Sequence, residues 1–198
     1  MKRMMLAMSL LVGAPALAHA SSYEIDPVHT TTGFSVKHMM VATVHGRFEK
    51  VSGTVSIDDA NPANDKINVD IDATSITTDN EKRDGHLKSP DFFDVAKFPK
   101  ITFVSKSAKA AGAGAVDVTG DLTMHGVTKP VTLHVTDISP NVASPMDKKN
   151  HRGASATATL NRQDFGVKWN APTSGKAGDV VVSDEVKIQI DAELVEKK

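Results

Sequence analysis

The sequence predicts an all-β fold, an antiparallel barrel of about eight strands with one short helix. Apolar and polar residues alternate along several stretches, for example Val186, Ile188 and Ile190 against Lys187 and Gln189. This alternation is typical of strands with one dry face and one wet face, which form antiparallel sheets. Because a single segment carries helix signals, the dry faces cannot be buried under helices. The sheet must therefore close into a barrel or stack as a sandwich.

Eight stretches carry the strand pattern, and turn-forming Gly, Pro, Asn and Asp separate them. They are residues 31–40, 41–57, 66–76, 100–109, 114–125, 130–138, 153–163 and 180–195. Residues near Tyr23 are expected to pair with an edge of the sheet. The stretches 41–57 and 180–195 are long, and glycines such as Gly46 and Gly120 fall within strands. Both features favour barrel closure, because glycine permits a strand to bend.

One segment breaks the two-residue period. Thr78 and Glu81 have the spacing of a capping box, in which two side chains satisfy free amides at the start of a helix. The sequence therefore predicts a short helix near residues 79–88. The loop that follows contains three aromatic residues, Phe92, Phe93 and Phe98. Since a loop this apolar must lie over a dry surface, we predict that residues 79–99 form a lid across one end of the barrel.

The first twenty residues have the three-part pattern of a secretory signal peptide. Lys2 and Arg3 precede an apolar run that is too short to span a bilayer, and Ala18 and Ala20 match the A-x-A cleavage pattern. We predict a signal peptide over residues 1–20, one barrel domain over residues 21–198 and export from the cytoplasm. An uncleaved anchor is the alternative, and no later segment is expected to cross a membrane.

Composition and motifs argue against several function classes. The chain has no cysteine, which excludes disulfides and thiolate sites. Removing Lys2 and Arg3 reduces the 23 basic residues to 21 against 24 acidic residues, so charge does not suggest nucleic acid as a partner. No serine lies in a nucleophile elbow, and Asp84 with His86 lacks a nucleophile. We expect a binding protein rather than an enzyme, with no catalytic residue and no cofactor.

Small residues on one dry face suggest that the interior is hollow. Ala154, Ala156 and Ala158 alternate with polar residues, and Ala73 and Ala192 add to this set. A packed core fills its centre with large side chains, whereas small ones leave volume for an apolar ligand. The alternative is that large side chains fill the space, namely Phe34, Met40, Phe103 and Met124. The pattern alone leaves both interpretations open.

Several motifs together resemble the YceI-like family over about residues 21–196. They are residues 23–30 (YEIDPVHT), 33–40 (GFSVKHMM), 44–48 (VHGRF), 83–94 (RDGHLKSPDFFD), 98–99 (FP), 120–131 (GDLTMHGVTKPV) and 161–167 (NRQDFGV). The resemblance implies an extended lipocalin-like barrel, export to the periplasm and an apolar cavity that holds an isoprenoid or a similar long-chain amphiphile. It implies no catalytic role.

Inward-facing strand positions and the aromatic residues of the lid are the expected ligand contacts. They are Phe34, Val36, His38, Met40, Phe92, Phe93, Phe98, Phe103, Ala156, Ala158, Phe165 and Trp169. Arg83 and Arg162 are candidates for a head-group phosphate, because the guanidinium fork matches phosphate oxygens. Alternation places His38 on the face of Phe34, hence inward.

Two other functions remain open at this stage. His29 and His38 could converge on a metal ion in a redox-linked accessory protein, although the sequence has no close-spaced ligand pair and we assign no metal ligand. A barrel with a filled core could instead bind another envelope protein. A homodimer is compatible with either function, and a small-molecule lipid is the expected partner.

Overall fold

The structure is a computed structural model that describes residues 20–112, 114–173 and 180–197. Residues 1–19 of the predicted signal peptide lie outside the described residues, so the signal peptide stays a prediction. Among the residues that are described, no helix is long and apolar enough to cross a membrane.

Strands dominate the described chain, with one α-helix between them. The strands are β1 (Ser21–Ile25), β2 (Thr31–His38), β3 (Ala42–Phe48), β4 (Val51–Ile57), β5 (Lys66–Asp72), β6 (Ile76–Thr77), β7 (Lys100–Ala110), β8 (Val116–Met124), β9 (Val127–Thr136), β10 (Val142–Ala143), β11 (Asn150–Asn161) and β12 (Val182–Glu196). The helix α1 spans Glu81–Lys88.

These segments occupy eight positions around a closed antiparallel barrel. The segments β1 and β2 both pair with the same side of β12 and act as one interrupted strand. In the same way β3 continues into β4, and β5 continues into β6. The circuit then runs through β7, β8, β9 and β11, and the pairing of β11 with β12 closes it. The predicted all-β, eight-stranded antiparallel barrel is confirmed.

The N-terminal segment belongs to the barrel wall rather than to an edge. The strand β1 pairs with β4 on one side and with β12 on the other. Tyr23 at its centre is fully buried, and its hydroxyl donates to Asn141 Oδ1 at 2.8 Å. The prediction of edge pairing was therefore wrong for this segment. The loop at residues 26–30 separates β1 from β2, and the sequence pattern does not show that the two segments form one strand position.

Two glycines make room for aromatic rings that come from the neighbouring strands. A Cβ at Gly120 would come within 2.6 Å of the Phe103 ring and 2.5 Å of the Val104 carbonyl oxygen. A Cβ at Gly46 would come within 2.4 Å of the Phe34 ring. All three distances are far below van der Waals contact, so these positions require glycine to admit the two rings into the barrel.

The lid segment covers one end of the barrel, which we call the lid end. Phe93 and Val95, in the loop after α1, pack against a cluster that contains Ile101 and Phe165. The helix begins as predicted, but its N-cap is Asn80, whose side chain accepts from the Arg83 amide. The capping box on Thr78 was therefore wrong. Thr78 instead donates through its amide and its hydroxyl to Asp84 of the helix, which ties α1 to β6.

A substitution at Gly120 tests the close approach of the Phe103 ring. We expect Gly120→Ala to lower the free energy of unfolding by about 1–3 kcal/mol, because overpacking against a backbone carbonyl forces the strands apart. Gly85→Ala is the matched control, since it adds the same methyl group in α1 where no atom lies within 4 Å. It should raise stability by about 0.5–1 kcal/mol. Urea unfolding of both variants checks this, and equal stabilities would contradict the packing described.

Candidate ligand-binding cavity

The barrel encloses an apolar cavity of about 210 Å³. Inward-facing side chains from all eight strand positions line it, and Thr30, Thr32 and Asp65 are the lining residues with polar side chains. An ordered buried water needs roughly 10–15 Å³ and two to four polar partners. The cavity has ample volume but few such partners, so it suits a hydrocarbon better than water.

A strip of alanines thins one part of the cavity wall. Ala154, Ala156 and Ala158 of β11 all line the cavity, as does Ala192 of β12. Across the β11–β12 ladder, Ala154 lies opposite Ala192, so two methyl groups meet where larger side chains would fill the space. Ala73 was also expected in this strip, but it lies fully buried in the cluster at the lid end and does not line the cavity.

Aromatic rings line the cavity toward the lid end. Phe34 and Phe103 line the cavity, and their rings contact Gly46 and Gly120, respectively. Phe48 lies with its ring centroid 5.8 Å from that of Phe34 and 5.8 Å from that of Phe93. The three rings Phe34, Phe48 and Phe93 therefore connect the cavity wall directly to the lid. These ring contacts close the lid end of the barrel with apolar side chains.

The opposite end of the barrel, which we call the polar end, carries charged side chains. Asp65 lines the cavity there and accepts from the Asp58 amide at 2.8 Å. Burial raises the pKa of Asp65 above its usual value, against the opposing effect of that hydrogen bond. Arg152 is buried, donates to the Ser139 carbonyl oxygen and forms an ion pair with Asp59 at 2.8 Å.

Asp65 and Arg152 were not predicted as site residues, although the sequence pattern carries a signal for both. Asp65 continues the inward register of Ile67, Val69 and Ile71 by one step of two residues. Arg152 continues the inward register of the β11 alanines in the same way. A charged residue at an inward position indicates where the apolar lining of the barrel ends. The alternation of the sequence was sufficient to predict this position.

Eight other predicted contact residues lie outside the cavity lining. Val36 is half-buried in β2, and Phe93 and Phe165 pack at the lid end. Phe98 packs against His125, with 4.8 Å between ring centroids. Phe92, Trp169 and His86 form a ring cluster with centroids 4.9–5.1 Å apart, which joins α1 to the segment after β11.

The hairpin between β2 and β3 points into solvent. His38 and Met40 are exposed, and Met39 and Met40 adopt left-handed backbone angles with φ of 50° and 60°. The inward orientation of His38 and the filling of the core by Met40 were therefore wrong. Alternation assigned them to the inner face, but β2 ends at His38 and the chain there projects beyond the barrel.

Arg162 is bound within the protein through all of its donors. The side chain is 4% exposed, and it donates to the carbonyl oxygens of Ser183, Val167, Trp169 and Val182 and to Asp184 Oδ1. Burial lowers the pKa of Arg162, with Asp184 acting in the opposite direction. A phosphate contact would require one of these bonds to break. The structure gives Arg162 the role of fastening the segment after β11 to the start of β12.

Arg83 is more accessible than Arg162. Its Nε donates to Thr78 Oγ1 at 2.7 Å, and a terminal nitrogen donates to the Thr78 carbonyl oxygen at 2.9 Å. The residue is exposed on α1, at the lid end of the barrel.

A closed eight-stranded antiparallel barrel around an apolar cavity defines the class of small lipocalin-like barrels, whose interiors accommodate one small ligand. The family model described as the YceI-like domain matches residues 23–194. The chain therefore belongs to the YceI-like family, which confirms the resemblance seen in the motifs.

Relatives and solved structures agree with this assignment. A UPF0312 protein of Pseudomonas savastanoi pv. phaseolicola is 40% identical over 171 residues, covering 85% of this chain and 88% of the relative. Protein YceI of Escherichia coli O157:H7 is 36% identical over 189 residues, covering 93% and 97%.

Two solved structures share the fold. The crystal structure of BcnA from Burkholderia cenocepacia has a TM-score of 0.72 at 26% identity, covering 85% of this chain and 98% of that one. A polyisoprenoid binding domain from Saccharophagus degradans, implicated in plant cell wall breakdown, has a TM-score of 0.62 at 19% identity, covering 89% and 99%.

Replacing Arg162 tests its role as a fastening residue. We expect Arg162→Met to lower the free energy of unfolding by about 3 kcal/mol, because several buried carbonyl oxygens lose their donors at once. Arg83→Met is the control at an exposed arginine and should change stability by less than about 1 kcal/mol. Guanidinium unfolding measures both. Comparable losses for the two variants would show that Arg162 contributes no more than a surface arginine.

Proposed function

We propose that this protein is a periplasmic carrier that holds a long-chain isoprenoid, or a similar amphiphilic lipid, inside the barrel. The observation that carries the proposal is the enclosed apolar cavity, whose wall contains four alanines where a packed core would place larger side chains. The polyisoprenoid-binding description of the Saccharophagus degradans domain agrees with this ligand class. The proposal requires no catalytic residue and no cofactor beyond the bound lipid.

Burial of the tail supplies the binding energy. Removing one CH₂ group from water contributes about 0.8 kcal/mol, so ten methylenes contribute about 8 kcal/mol before the cost of ordering a flexible chain is subtracted. Because the wall is almost uniformly apolar, it discriminates poorly between prenyl and acyl tails of similar width. Selectivity must therefore come from the head group.

The head group belongs at the polar end of the barrel. The lid end presents Phe93 and Val95, which offer no hydrogen bond to a polar group. Thr30 and Asp65 line the cavity near the polar end, and the buried cation Arg152 is close enough to Asp65 to act on its pKa, in the lowering direction. This arrangement favours a head group that donates a hydrogen bond or carries a partial negative charge. The residues of the polar end, Thr30, Asp65 and Arg152, therefore replace Arg83 and Arg162 as the first candidates for head-group contacts.

Native mass spectrometry of tag-free protein from a periplasmic fraction tests the carrier function directly. We expect one lipid per chain, released by organic extraction and identified from the extract. Protein that arrives without lipid should bind one added prenyl alcohol per chain. A bare mass together with failure to bind the added prenyl alcohol would contradict the proposal and favour a barrel with a filled core.

A pair of phenylalanine substitutions on β11 tests the position of the ligand. Ala156 lines the cavity, and we expect Ala156→Phe to reduce binding of the prenyl alcohol at least tenfold by filling that space. The neighbouring Thr157 points outward and is exposed, so Thr157→Phe places the same ring on the outer face and should bind normally. Lipid retention by the Ala156→Phe variant equal to that of the Thr157→Phe variant would place the ligand outside the barrel.

Export predicts a defined mature N-terminus. If residues 1–20 form a cleaved signal peptide, the intact mass of the periplasmic protein should correspond to a chain that begins at Ser21. The backbone supports cleavage there, because β1 begins at Ser21 and needs no preceding residue to pair. A mass that retains residues 1–20 would instead support the uncleaved anchor.

A further inference from the structure

Five metal-ligating side chains gather on the outer wall near the polar end of the barrel. His29 Nδ1 lies 2.9 Å from Asp26 Oδ2 and 3.7 Å from Glu193 Oε2. His151 Nδ1 lies 2.7 Å from Glu193 Oε1, and His151 Nε2 lies 3.0 Å from Asp147 Oδ2. Donor atoms of Asp26, His29 and Glu193 all lie within 4.8 Å of one another. The cluster lies outside the lipid cavity, because Glu193 alternates with the inward-facing Ala192 and Leu194.

Backbone hydrogen bonds fix the loop that carries two of these residues. The Asp26 amide donates to the Glu193 carbonyl oxygen at 2.9 Å. The Glu193 amide donates in turn to Thr30 Oγ1 at 3.1 Å. Both ends of the loop at residues 26–30 are therefore held against β12 at the residue that contributes the third side chain. The relative positions of Asp26, His29 and Glu193 are set by the barrel and not by the side chains alone.

The surrounding wall leaves space above the cluster. Gly153 of β11 lies directly opposite Glu193 of β12, so no side chain covers the outer face at that point. The resulting concavity is lined by His29, His151 and Glu193, among others. His29 is 61% exposed and Glu193 is 34% exposed, which leaves the site open to an ion from solvent.

The charges of the cluster favour a cation. Three carboxylates face two imidazoles, and within residues 20–112, 114–173 and 180–197 no lysine or arginine forms an ion pair with Asp26, Asp147 or Glu193. Asp121 on the outer wall, by contrast, forms an ion pair with Lys106 at 2.7 Å.

We propose that Asp26, His29 and Glu193 bind a divalent transition-metal ion of the zinc type. Zinc–ligand bonds of 2.0–2.1 Å in tetrahedral geometry separate neighbouring ligand atoms by about 3.3 Å, and the distances of 2.9 and 3.7 Å lie on either side of that value. Three protein ligands leave a fourth position for water. The mixture of imidazole and carboxylate selects zinc-like ions over Ca²⁺ and Mg²⁺, which prefer oxygen ligands.

His151 is a positioning residue for this site. It lies between Glu193 and Asp147 and holds the Glu193 carboxylate from the side away from His29. Outer partners of this kind orient ligands, and their loss lowers metal affinity by about 10–100-fold. The site does not use His38, which the sequence analysis considered beside His29 as an alternative without assigning a metal ligand. His38 is the last residue of β2, seven residues beyond Thr31 at its start, and at about 3.3 Å per residue the strand alone spans about 23 Å.

Zinc titration of the tag-free mature protein, monitored by calorimetry, tests the proposal. We expect one Zn²⁺ per chain, unaffected by excess Mg²⁺ or Ca²⁺. His29→Gln should weaken binding at least tenfold, and Glu193→Gln should do the same while preserving side-chain shape. His134→Gln is the matched control, because His134 is an exposed histidine that contacts a carboxylate, Asp117, at 2.8 Å but has no second carboxylate ion pair. It should bind zinc normally.

A second readout separates a zinc site from scattered surface binding. Zinc should raise the Tm of the wild type and of the His134→Gln variant, since a ligand that binds the folded state stabilises it, and the same zinc concentration should raise the Tm of the His29→Gln variant less. No saturable binding, or equal losses in the His29→Gln and His134→Gln variants, would overturn the proposal. The lipid content of these variants should stay at the wild-type level, so the result is independent of the carrier function.

Discussion

The ladder between β11 and β12 is the constraint on which the rest of the structure depends. It runs from His151 opposite Val195 to Asn161 opposite Glu185, and it turns an open sheet into a closed barrel. Closure fixes which side of each strand faces inward, and a shift of one residue would exchange the two faces. The alanine strip, the buried Arg152 and the outward Glu193 all take their positions from the register of this one ladder.

Much of the fold could be predicted because its determinants are local. Period-two alternation identified the strand positions around the barrel, including the continuous stretch that the structure divides into β3 and β4. The aromatic residues after α1 predicted the lid, since apolar side chains in a loop require a dry surface. The alanines of β11 indicated the cavity wall, because a packed interior needs large side chains at inward positions and these are small.

The errors arose where the position of a residue depends on contacts distant in sequence. Tyr23 was assigned to an edge because nothing local shows that β12 continues past β2 to pair with β1. His38 shares the face of Phe34 by alternation, but the strand extends beyond the barrel at that point. Arg162 resembles a surface arginine in sequence, and only the chain that returns at Val167, Trp169 and Val182 shows that its donors are occupied.

The two faces of the wall support separate chemistry. Inward positions of β12, such as Ala192, line a largely apolar cavity, whereas the adjacent outward Glu193 belongs to a cluster of carboxylates and imidazoles. Because successive residues of a strand point to opposite faces, one strand presents apolar side chains to the cavity and a carboxylate to the outer surface.

The same closing ladder has a consequence for the order in which the chain folds. The strand β12 follows every other barrel strand in the chain, yet it pairs with β1 and β2 as well as with β11. Contacts this distant in sequence slow folding, because a long loop must be ordered before they form. A nascent chain therefore cannot complete its barrel until β12 has been synthesised, since both neighbours of β12 are made before it.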